Sequence, residues 1–131
     1  MGQRGITQDD EQLGKDGEAK ARLLLKQKGY EITQIDWLGV RDNKIYRFEI
    51  KAKSRRFNPP PFEGHGLDLH QVKRFLKFQE LTKIRIVLVV WEKWHDQWIW
   101  GFLDELENSD QKCIAPFGQI RIYNINLFKP I

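Results

Sequence analysis

The chain has 131 residues, of which 40% are hydrophobic and 12% aromatic, which suits one domain with one packed core and excludes a largely disordered chain. The formal net charge of +4 is too small for a polybasic composition, and no apolar run is long enough to span a membrane. A single cysteine, Cys113, excludes an internal disulfide and is typical of a reducing compartment. We therefore expect a cytoplasmic protein with no membrane partner.

The first helix is predicted over residues 15–28. Residues 1–12 before it are polar and are predicted to form a flexible N-terminus, leaving residues 13–131 as a single domain. Apolar residues recur at helical spacing within 15–28, and Gly29 is a residue type that commonly follows a helix end. Glu18 lies in the first turn at the margin of the apolar face, where an acid also suits the helix dipole.

A β-hairpin is predicted next, with a continuous strand over residues 30–40 and its partner over residues 45–53. Between them, Asp42 and Asn43 are residue types that tolerate the left-handed backbone of a tight turn. If these two form the turn, the register of the whole hairpin follows from it.

This register brings charged side chains together on one face of the hairpin. Asp36 lies directly opposite Glu49, and Lys51, two residues further along, points from the same face. Opposed acids repel one another, so a cation is expected between them. Two carboxylates beside a lysine suit phosphodiester hydrolysis with Mg²⁺, which takes one or two carboxylates together with substrate phosphate and water. Lys51 would then position or deprotonate the attacking water.

A basic segment follows the hairpin. Lys53, Arg55 and Arg56 belong to a run of four cations without an acid, which suits a polyanionic partner such as nucleic acid. Residues 54–66 contain three consecutive prolines and are predicted to form a loop that either contacts substrate or only connects its neighbours. His65 in this loop is expected to be solvated, near enough to the site to touch substrate.

A second helix is predicted over residues 69–81. Asp68 and Gln71 have the spacing of a helix-capping pair. The helix also carries a basic stripe, which is either its solvated face or a surface for phosphate contacts. The stripe consists of His70, Lys73, Arg74 and Lys77.

The remaining chain completes an α/β domain with a central mixed β-sheet flanked by helices. Residues 84–91 are predicted to be a central strand buried on both faces and reached by a helical crossover. A strand over 97–103, a short helix over 103–108 and a strand over 119–125 follow. A tryptophan cluster either packs in the core, which is favoured, or stacks on bases. Its members are Trp91, Trp94, Trp98 and Trp100.

The order of these residues resembles the PD-(D/E)XK nuclease superfamily, and in particular small Holliday-junction-resolvase-type nucleases. The resemblance rests on Asp36 followed by Glu49-Ile50-Lys51, after a helix with Glu18, and covers roughly residues 15–91. It departs from the pattern of that superfamily in one place, because isoleucine rather than proline precedes Asp36. It implies a restriction endonuclease-like core with the element order α-β-β-β-α-β.

The resemblance also implies roles for individual residues. Asp36 and Glu49 would bind Mg²⁺, for which Mn²⁺ is expected to substitute, and Glu18 would complete the metal environment. Lys51 would be catalytic and Gln71 would assist it, although Gln71 fits a capping pair equally well. The implied activity is a magnesium-dependent endonuclease acting on duplex or branched DNA. The residues expected to contact DNA are Lys53, Arg55, Arg56, His65, His70, Lys73, Arg74 and Lys77.

Other chemistries fit the sequence less well. The three histidines share no ligand spacing with each other or with Cys113, which argues against a zinc site. The main alternative is a catalytically silent nucleic-acid-binding or scaffolding domain on the same fold, in which Asp36, Glu49 and Lys51 form a structural ion cluster. Cutting both strands of a duplex needs two active sites, so a homodimer is expected for the enzyme.

Overall fold

The structure is a computed structural model that describes residues 8–32, 38–58, 62–115 and 118–131, without the side chains of residues 8–11 and of Ile32. In these ranges, three α-helices alternate with nine β-strands, and no helix is long and apolar enough to cross a membrane. The elements are α1 (Gln8–Gln27), β1 (Glu31–Ile32), β2 (Leu38–Arg41), β3 (Lys44–Lys53), β4 (Gly64–Asp68), α2 (Leu69–Thr82), β5 (Arg85–Glu92), β6 (Gln97–Phe102), α3 (Leu103–Asn108), β7 (Lys112–Ile114), β8 (Ile120–Asn124) and β9 (Lys129–Pro130).

The strands form two sheets, which confirms an α/β fold with a mixed sheet. The larger sheet has the order β1-β2-β3-β5-β6-β9, and its only parallel pair among the described strands is β3 with β5. The helix α2 provides the crossover between these two, as predicted. The smaller sheet, β4-β8-β7, was not predicted as a sheet. Its strand β8 was expected, but β4 and β7 are short and carry little apolar alternation.

The predicted turn of the hairpin is confirmed. Asp42 and Asn43 have positive φ angles of 54° and 63°, as a two-residue hairpin turn requires. Arg41 is paired with Lys44, and the predicted register continues to the pair of Leu38 with Arg47.

The prediction of one continuous strand over residues 30–40 is wrong. The short strand β1 pairs antiparallel with β2, so the chain reverses direction between Ile32 and Leu38. Asp36 falls between these two strands and lies outside the described residues, as does its predicted pairing with Glu49.

The helix α1 begins at Gln8, earlier than predicted, and includes residues expected to belong to the flexible N-terminus. Its end is as predicted. Gly29 has a φ angle of 90°, and its N–H donates to the carbonyl of Lys26 (3.0 Å) while the N–H of Tyr30 donates to that of Leu25 (3.1 Å). This pair of bonds satisfies carbonyls at the helix end and turns the chain toward β1.

The larger sheet is covered on both faces. Even-numbered β3 residues such as Phe48 face α1, and Gly17 on α1 lets the helix approach Ala52 so closely that a Cβ there would lie 2.8 Å from the Cβ of Ala52. Odd-numbered β3 residues face α2. The buried core on that side contains Leu67, Val72, Phe75, Ile86, Leu88, Val90, Leu103, Leu106, Tyr123 and Phe128.

The later elements agree closely with their predicted positions. The helices expected over 69–81 and 103–108 are α2 and α3, and the strands expected over 84–91 and 97–103 are β5 and β6. The strand expected over 119–125 is β8, although it belongs to the smaller sheet.

The prediction that residues 54–66 form only a loop is wrong, because β4 begins at Gly64. Gly64 and Gly66 do not mark a flexible segment: because they have no side chain, they allow the backbone of β4 to lie close to that of β8, with which it pairs. A Cβ would lie 1.8 Å from the carbonyl oxygen of Tyr123 at Gly64, and 1.6 Å from that of Arg121 at Gly66. No side chain fits such a space without moving the backbone of β8.

We expect Gly66→Ala to lower the free energy of unfolding by at least about 2 kcal/mol, because the new methyl group must displace backbone atoms of β8. Gly14→Ala in α1 is the matched control, since a Cβ there meets nothing within 4 Å and alanine favours helix. Urea denaturation of both variants measures the difference. Equal stability of Gly66→Ala and the parent chain would contradict the packing described for β4.

Candidate active site at the carboxyl end of the central strands

Glu49 and Lys51 lie on the face of β3 that packs toward α2. They alternate with Ile50 and Ala52, which point to the α1 side. The Nζ of Lys51 lies 3.3 Å from Oε1 of Glu49, and the two side chains are 28% and 21% exposed. Glu49 and Lys51 therefore share a face, as predicted, and both groups remain accessible to solvent. A cation between Glu49 and Asp36 stays a prediction, because Asp36 lies outside the described residues.

Lys51 opens into a pocket of about 150 Å³ between β3, β4 and the first turn of α2. The pocket brings together Lys51 and Gln71, which the sequence placed on separate elements of one site. It also contains Lys53, the next residue on the same face of β3. The lining residues are Lys51, Lys53, Phe57, Gly66, Leu67, Asp68, Gln71 and Ile120.

Asp68 in this pocket was not predicted as a site residue. It was assigned to a capping pair with Gln71, but its side chain makes no capping hydrogen bond, and the N–H of Leu69 donates instead to the carbonyl of Gln119 (2.8 Å). The capping interpretation of Asp68 is thus wrong. In the sequence, Asp68 is linked to the site only by its position three residues before Gln71. The same spacing is expected for a helix-capping pair, so it did not distinguish the two roles.

The electrostatics of the pocket are dominated by two neighbouring lysines. Burial lowers the pKa of Lys53, and the charge of Lys51 lowers it further, whereas the carboxylate of Asp68 acts in the opposite direction. An anionic group that enters the pocket would be attracted by the charge of Lys51, and its own charge would favour the protonated form of Lys53. The pocket is therefore suited to an anionic group such as a phosphodiester.

Glu49 is the expected metal ligand on β3 that lies in the described ranges, and Asp68 adds a second carboxylate in the neighbouring pocket. No group of three or more His, Cys, Asp or Glu could hold a metal ion within the ranges described. Mg²⁺ is commonly bound by one or two carboxylates, together with water and substrate phosphate, rather than by three or more protein ligands. Glu49 offers the oxygen ligand that Mg²⁺ prefers, so the residues present fit this ion. Asp36, the second predicted ligand, lies outside these ranges.

Glu18 does not reach this face of the sheet through any described contact. Its side chain is exposed on α1, directly after Gly17, and α1 covers the face that carries Ala52 rather than Glu49. Glu18 thus lies near the carboxyl end of β3 but on the opposite side of the sheet.

A buried ion cluster that the sequence did not predict lies beside the pocket. Glu92, the β5 residue paired with Lys53, is 1% exposed. Arg56 donates to both of its oxygens, with Nε–Oε2 and Nη2–Oε1 distances of 2.6 and 2.9 Å. The Nε2 atoms of His65 and His95 lie 2.5 and 2.8 Å from the same carboxylate.

This cluster corrects the predicted surroundings of His65. His65 is fully buried in β4 rather than solvated in a loop, so its ring is not open to a substrate. Arg56 is held by Glu92 and by Glu63, whose Oε1 lies 2.8 Å from its Nη1, and its side chain is 26% exposed, so a DNA contact of Arg56 stays a prediction. Both residues fix the carboxyl ends of β3 and β5.

The protonation states in the cluster follow from burial and charge. Burial opposes ionisation of Glu92, but hydrogen bonds from Arg56, His65 and His95 outweigh it and lower the pKa of Glu92 to about 2. Burial lowers the pKa of His65, despite the opposing effect of Glu92. Neutral His65 donates through Nε2, and its Nδ1 is buried without a hydrogen-bond partner in the described chain. Hydrogen bonds to Glu92 raise the pKa of Arg56, so Arg56 stays charged.

The predicted basic stripe on α2 is exposed, as expected for a solvated face. It begins at His70, next to Gln71 in the pocket, and runs away along the helix. Arg55 is also exposed, at the end of β3. The exposed residues of the stripe are His70, Lys73, Arg74 and Lys77.

A scan against models of protein families gives no match for this chain, and no curated protein matches it significantly. Function is therefore inferred from the residues of the site.

Proposed function

We propose that the protein is a magnesium-dependent endonuclease that hydrolyses phosphodiester bonds of DNA. The observation that carries this proposal is the paired Glu49 and Lys51 on one face of β3, beside a cationic pocket that also contains Gln71. A carboxylate, a lysine and an amide around an anion-sized pocket suit attack of water on a phosphodiester better than they suit chemistry on a neutral substrate.

Each residue has a role in this proposal. Glu49, with Asp36, holds the divalent cation, which when bound supplies Lewis-acid stabilisation of the phosphate. Lys51 positions the attacking water or removes its proton, and Gln71 orients a polar group in the pocket. Lys53 attracts the phosphate of the substrate. Glu18 is retained only as an outer support, because its helix covers the other face of the sheet.

The fold is compatible with a restriction endonuclease-like core. The elements α1, β1, β2, β3, α2 and β5 follow one another in the expected α-β-β-β-α-β order, with β4 inserted before α2, and β3 is parallel to β5. In this arrangement Glu49 and Lys51 lie toward the carboxyl end of a central strand. This supports membership of the PD-(D/E)XK group as part of the proposal.

DNA is the proposed substrate because the exposed cations lie beside the pocket. Arg55 and the basic stripe on α2 would contact phosphates on either side of the cleaved bond. Cleavage of both strands of a duplex requires two such sites, so we propose that the active form is a homodimer. Mn²⁺ should support the reaction in place of Mg²⁺.

A cleavage screen tests the proposal. Linear, nicked, branched and single-stranded DNA are incubated with the purified chain in Mg²⁺, Mn²⁺ or EDTA, and products are resolved on denaturing gels. We expect cleavage of at least one duplex or branched substrate with Mg²⁺ or Mn²⁺ and none with EDTA. Absence of cleavage on every substrate, or cleavage that persists in EDTA, would contradict a metal-dependent endonuclease.

The second candidate is a nucleic-acid-binding or scaffolding domain without catalysis. The ion pair between Glu49 and Lys51 favours it, because a carboxylate already neutralised by a lysine also stabilises a fold. DNA binding without cleavage in the same screen would support this candidate over the enzyme.

A further inference from the structure

Trp94 differs from the other tryptophans at this end of the sheet. Trp91 is 3% exposed, and Trp98 and Trp100 are half-buried against the core on the α1 side. Trp94 lies in the 3₁₀ turn between β5 and β6 and is 47% exposed. Its ring stacks on His95, with the ring centroids 4.8 Å apart and an interplanar angle of 14°. The stacked pair of rings is therefore partly exposed to solvent.

The stacked rings border an open pocket of about 420 Å³ that lies directly after β3. Its lining combines an aromatic ring, cations and small polar groups, which differs from the mainly apolar linings of drug-like cavities. The lining residues are Ser54, Arg55, Arg56, Asn58, Glu63, Trp94 and His95.

The inner side of this pocket is held rigidly by the buried ion cluster. Arg56 and His95 both bond to Glu92, and the guanidinium of Arg56 lies 5.9 Å from the centre of the Trp94 ring. Because these groups are fixed before a ligand arrives, little conformational entropy is lost when one binds.

The chemistry of the pocket matches a nucleobase rather than a bare phosphate or an apolar side chain. The exposed ring offers a stacking surface, and Asn58 and Glu63 can exchange hydrogen bonds with the edge of a base. The carboxylate of Glu63, 46% exposed, would repel a phosphate placed in the pocket itself. Arg55 has no ion pair in the described part of the chain and is available to the phosphate that follows the base.

The pocket is also close to the proposed cleavage site. Arg55 follows Lys51 by four positions, so the two backbones lie at most about 14 Å apart. This corresponds to a few nucleotides of a DNA strand, which advances about 3.4 Å per nucleotide in a duplex and further when extended.

We infer that the pocket around Trp94 binds an unstacked nucleobase from a single-stranded segment next to the cleaved bond. The inference rests on the proposed function for the position of that bond, but not for the binding of the base. It assigns a substrate class, since DNA with an unpaired stretch, such as an overhang, flap or branch point, presents a free base without the cost of unstacking one from a duplex.

Binding without metal tests this inference separately from catalysis. Fluorescence anisotropy in EDTA compares a labelled blunt duplex, the same duplex with a four-nucleotide overhang, and the same overhang made of abasic residues. The parent chain should bind the normal overhang at least about 5-fold more tightly than the abasic one, as expected for one stacked base. Equal affinity for the two overhangs would overturn the inference, and no variant is needed for this comparison.

Variants locate the effect. Trp94→Ala should lose the preference for the normal overhang and leave affinity for the blunt duplex within about 2-fold, whereas Trp94→Phe, which keeps a stacking ring, should retain most of it. Leu23→Ala, which replaces another exposed apolar side chain (61% exposed), is the control and should change nothing. A preference that survives in Trp94→Ala, or an equal loss for all three DNA molecules, would place the base elsewhere.

Two further arms separate the sources of the base and the two proposals. An RNA overhang of the same sequence should be bound through the same ring. If free deoxyadenosine monophosphate competes for the pocket but the overhang does not change the affinity for DNA, the pocket binds a free nucleotide and the inference that it binds a strand is contradicted. If binding depends on the base but no cleavage occurs in Mg²⁺, the endonuclease proposal is contradicted and the base-binding pocket is supported. If cleavage occurs but binding does not depend on the base, the base-binding pocket is contradicted and the endonuclease proposal is supported.

Discussion

Glu49→Gln should lower the single-turnover rate of DNA cleavage by at least about 100-fold at saturating enzyme and Mg²⁺. The substitution keeps the shape of the side chain and removes the charge that would hold the divalent cation, and loss of one such electrostatic group costs about 10²- to 10³-fold or more. It also removes the ion pair with Lys51. Because both groups are partly exposed, this should change the free energy of unfolding by less than about 1 kcal/mol.

The control for this prediction is Glu80→Gln, which removes an exposed acid from α2 and should leave cleavage unchanged. Lys51→Met should also lower the rate, by at least about 100-fold, because general acid–base catalysis contributes roughly that much. DNA binding in EDTA should be unchanged or tighter in Glu49→Gln, since a negative charge is lost near the phosphate. If Glu49→Gln retains more than a tenth of the parent rate, Glu49 is not a metal ligand and the catalytic proposal fails.

Local sequence signals predicted the part of the fold that carries Glu49 and Lys51. Asp42-Asn43 marked the turn because few residue types adopt positive φ, and the turn then determined the register from Arg41 to Leu38. The apolar run in β5 predicted a central strand because it is the most apolar stretch of the sequence and is rich in β-branched residues. Alternation along β3 was then enough to place Lys51 beside Glu49.

The smaller sheet and the ion cluster depend on contacts between distant residues, which local signals do not contain. Gly64 and Gly66 flank His65 in a stretch after three prolines, and glycine is equally consistent with a flexible loop and with a closely packed strand. The partner of His65 is Glu92, 27 residues further along, on a strand predicted only as apolar. Burial of His65 could therefore not be predicted from its neighbours in sequence.

Asp68 shows a different limit. An acid immediately before a helix is the usual sign of a cap, and the sequence offers no way to distinguish that from an acid turned into a pocket. The distinction comes from the smaller sheet: Asp68 ends β4 directly before α2, and the N–H of Leu69 donates to the carbonyl of Gln119 instead of to Asp68. Asp68 could be recognised as a pocket residue only after this sheet was known.

Glu92→Ala should lower the free energy of unfolding by about 3–5 kcal/mol, as expected when one partner of a buried ion pair is removed. Glu92 is the common acceptor for Arg56, His65 and His95, and its removal leaves a guanidinium in a partly buried site with Glu63 as its remaining carboxylate partner among the described residues. Urea denaturation at pH 7 measures the loss.

The control is Asp104→Asn, which breaks the pairing of another carboxylate with Arg85. These side chains are 27% and 37% exposed, so solvent compensates for much of the loss and the expected effect is about 1 kcal/mol. Similar effects of Glu92→Ala and Asp104→Asn would show that burial of Glu92 contributes nothing specific.

The same cluster should make the protein less stable in acid. The unfolded chain binds a proton at histidine near pH 6.5 and at glutamate near pH 4.5, whereas in the folded chain burial lowers the pKa of His65, and Glu92 stays ionised down to its pKa of about 2. The unfolded state therefore binds more protons than the folded state across this range. The free energy of unfolding should decrease as the pH falls below 6.5, and most steeply from pH 4.5 toward 2, where Glu92 accounts for a loss on the order of 3 kcal/mol. Glu92→Gln should flatten the steep part of the curve.

Because Glu92 also holds Arg56 and His95 beneath Trp94, the preference for an unpaired base should weaken in Glu92→Gln even at pH 7, where the variant is still folded.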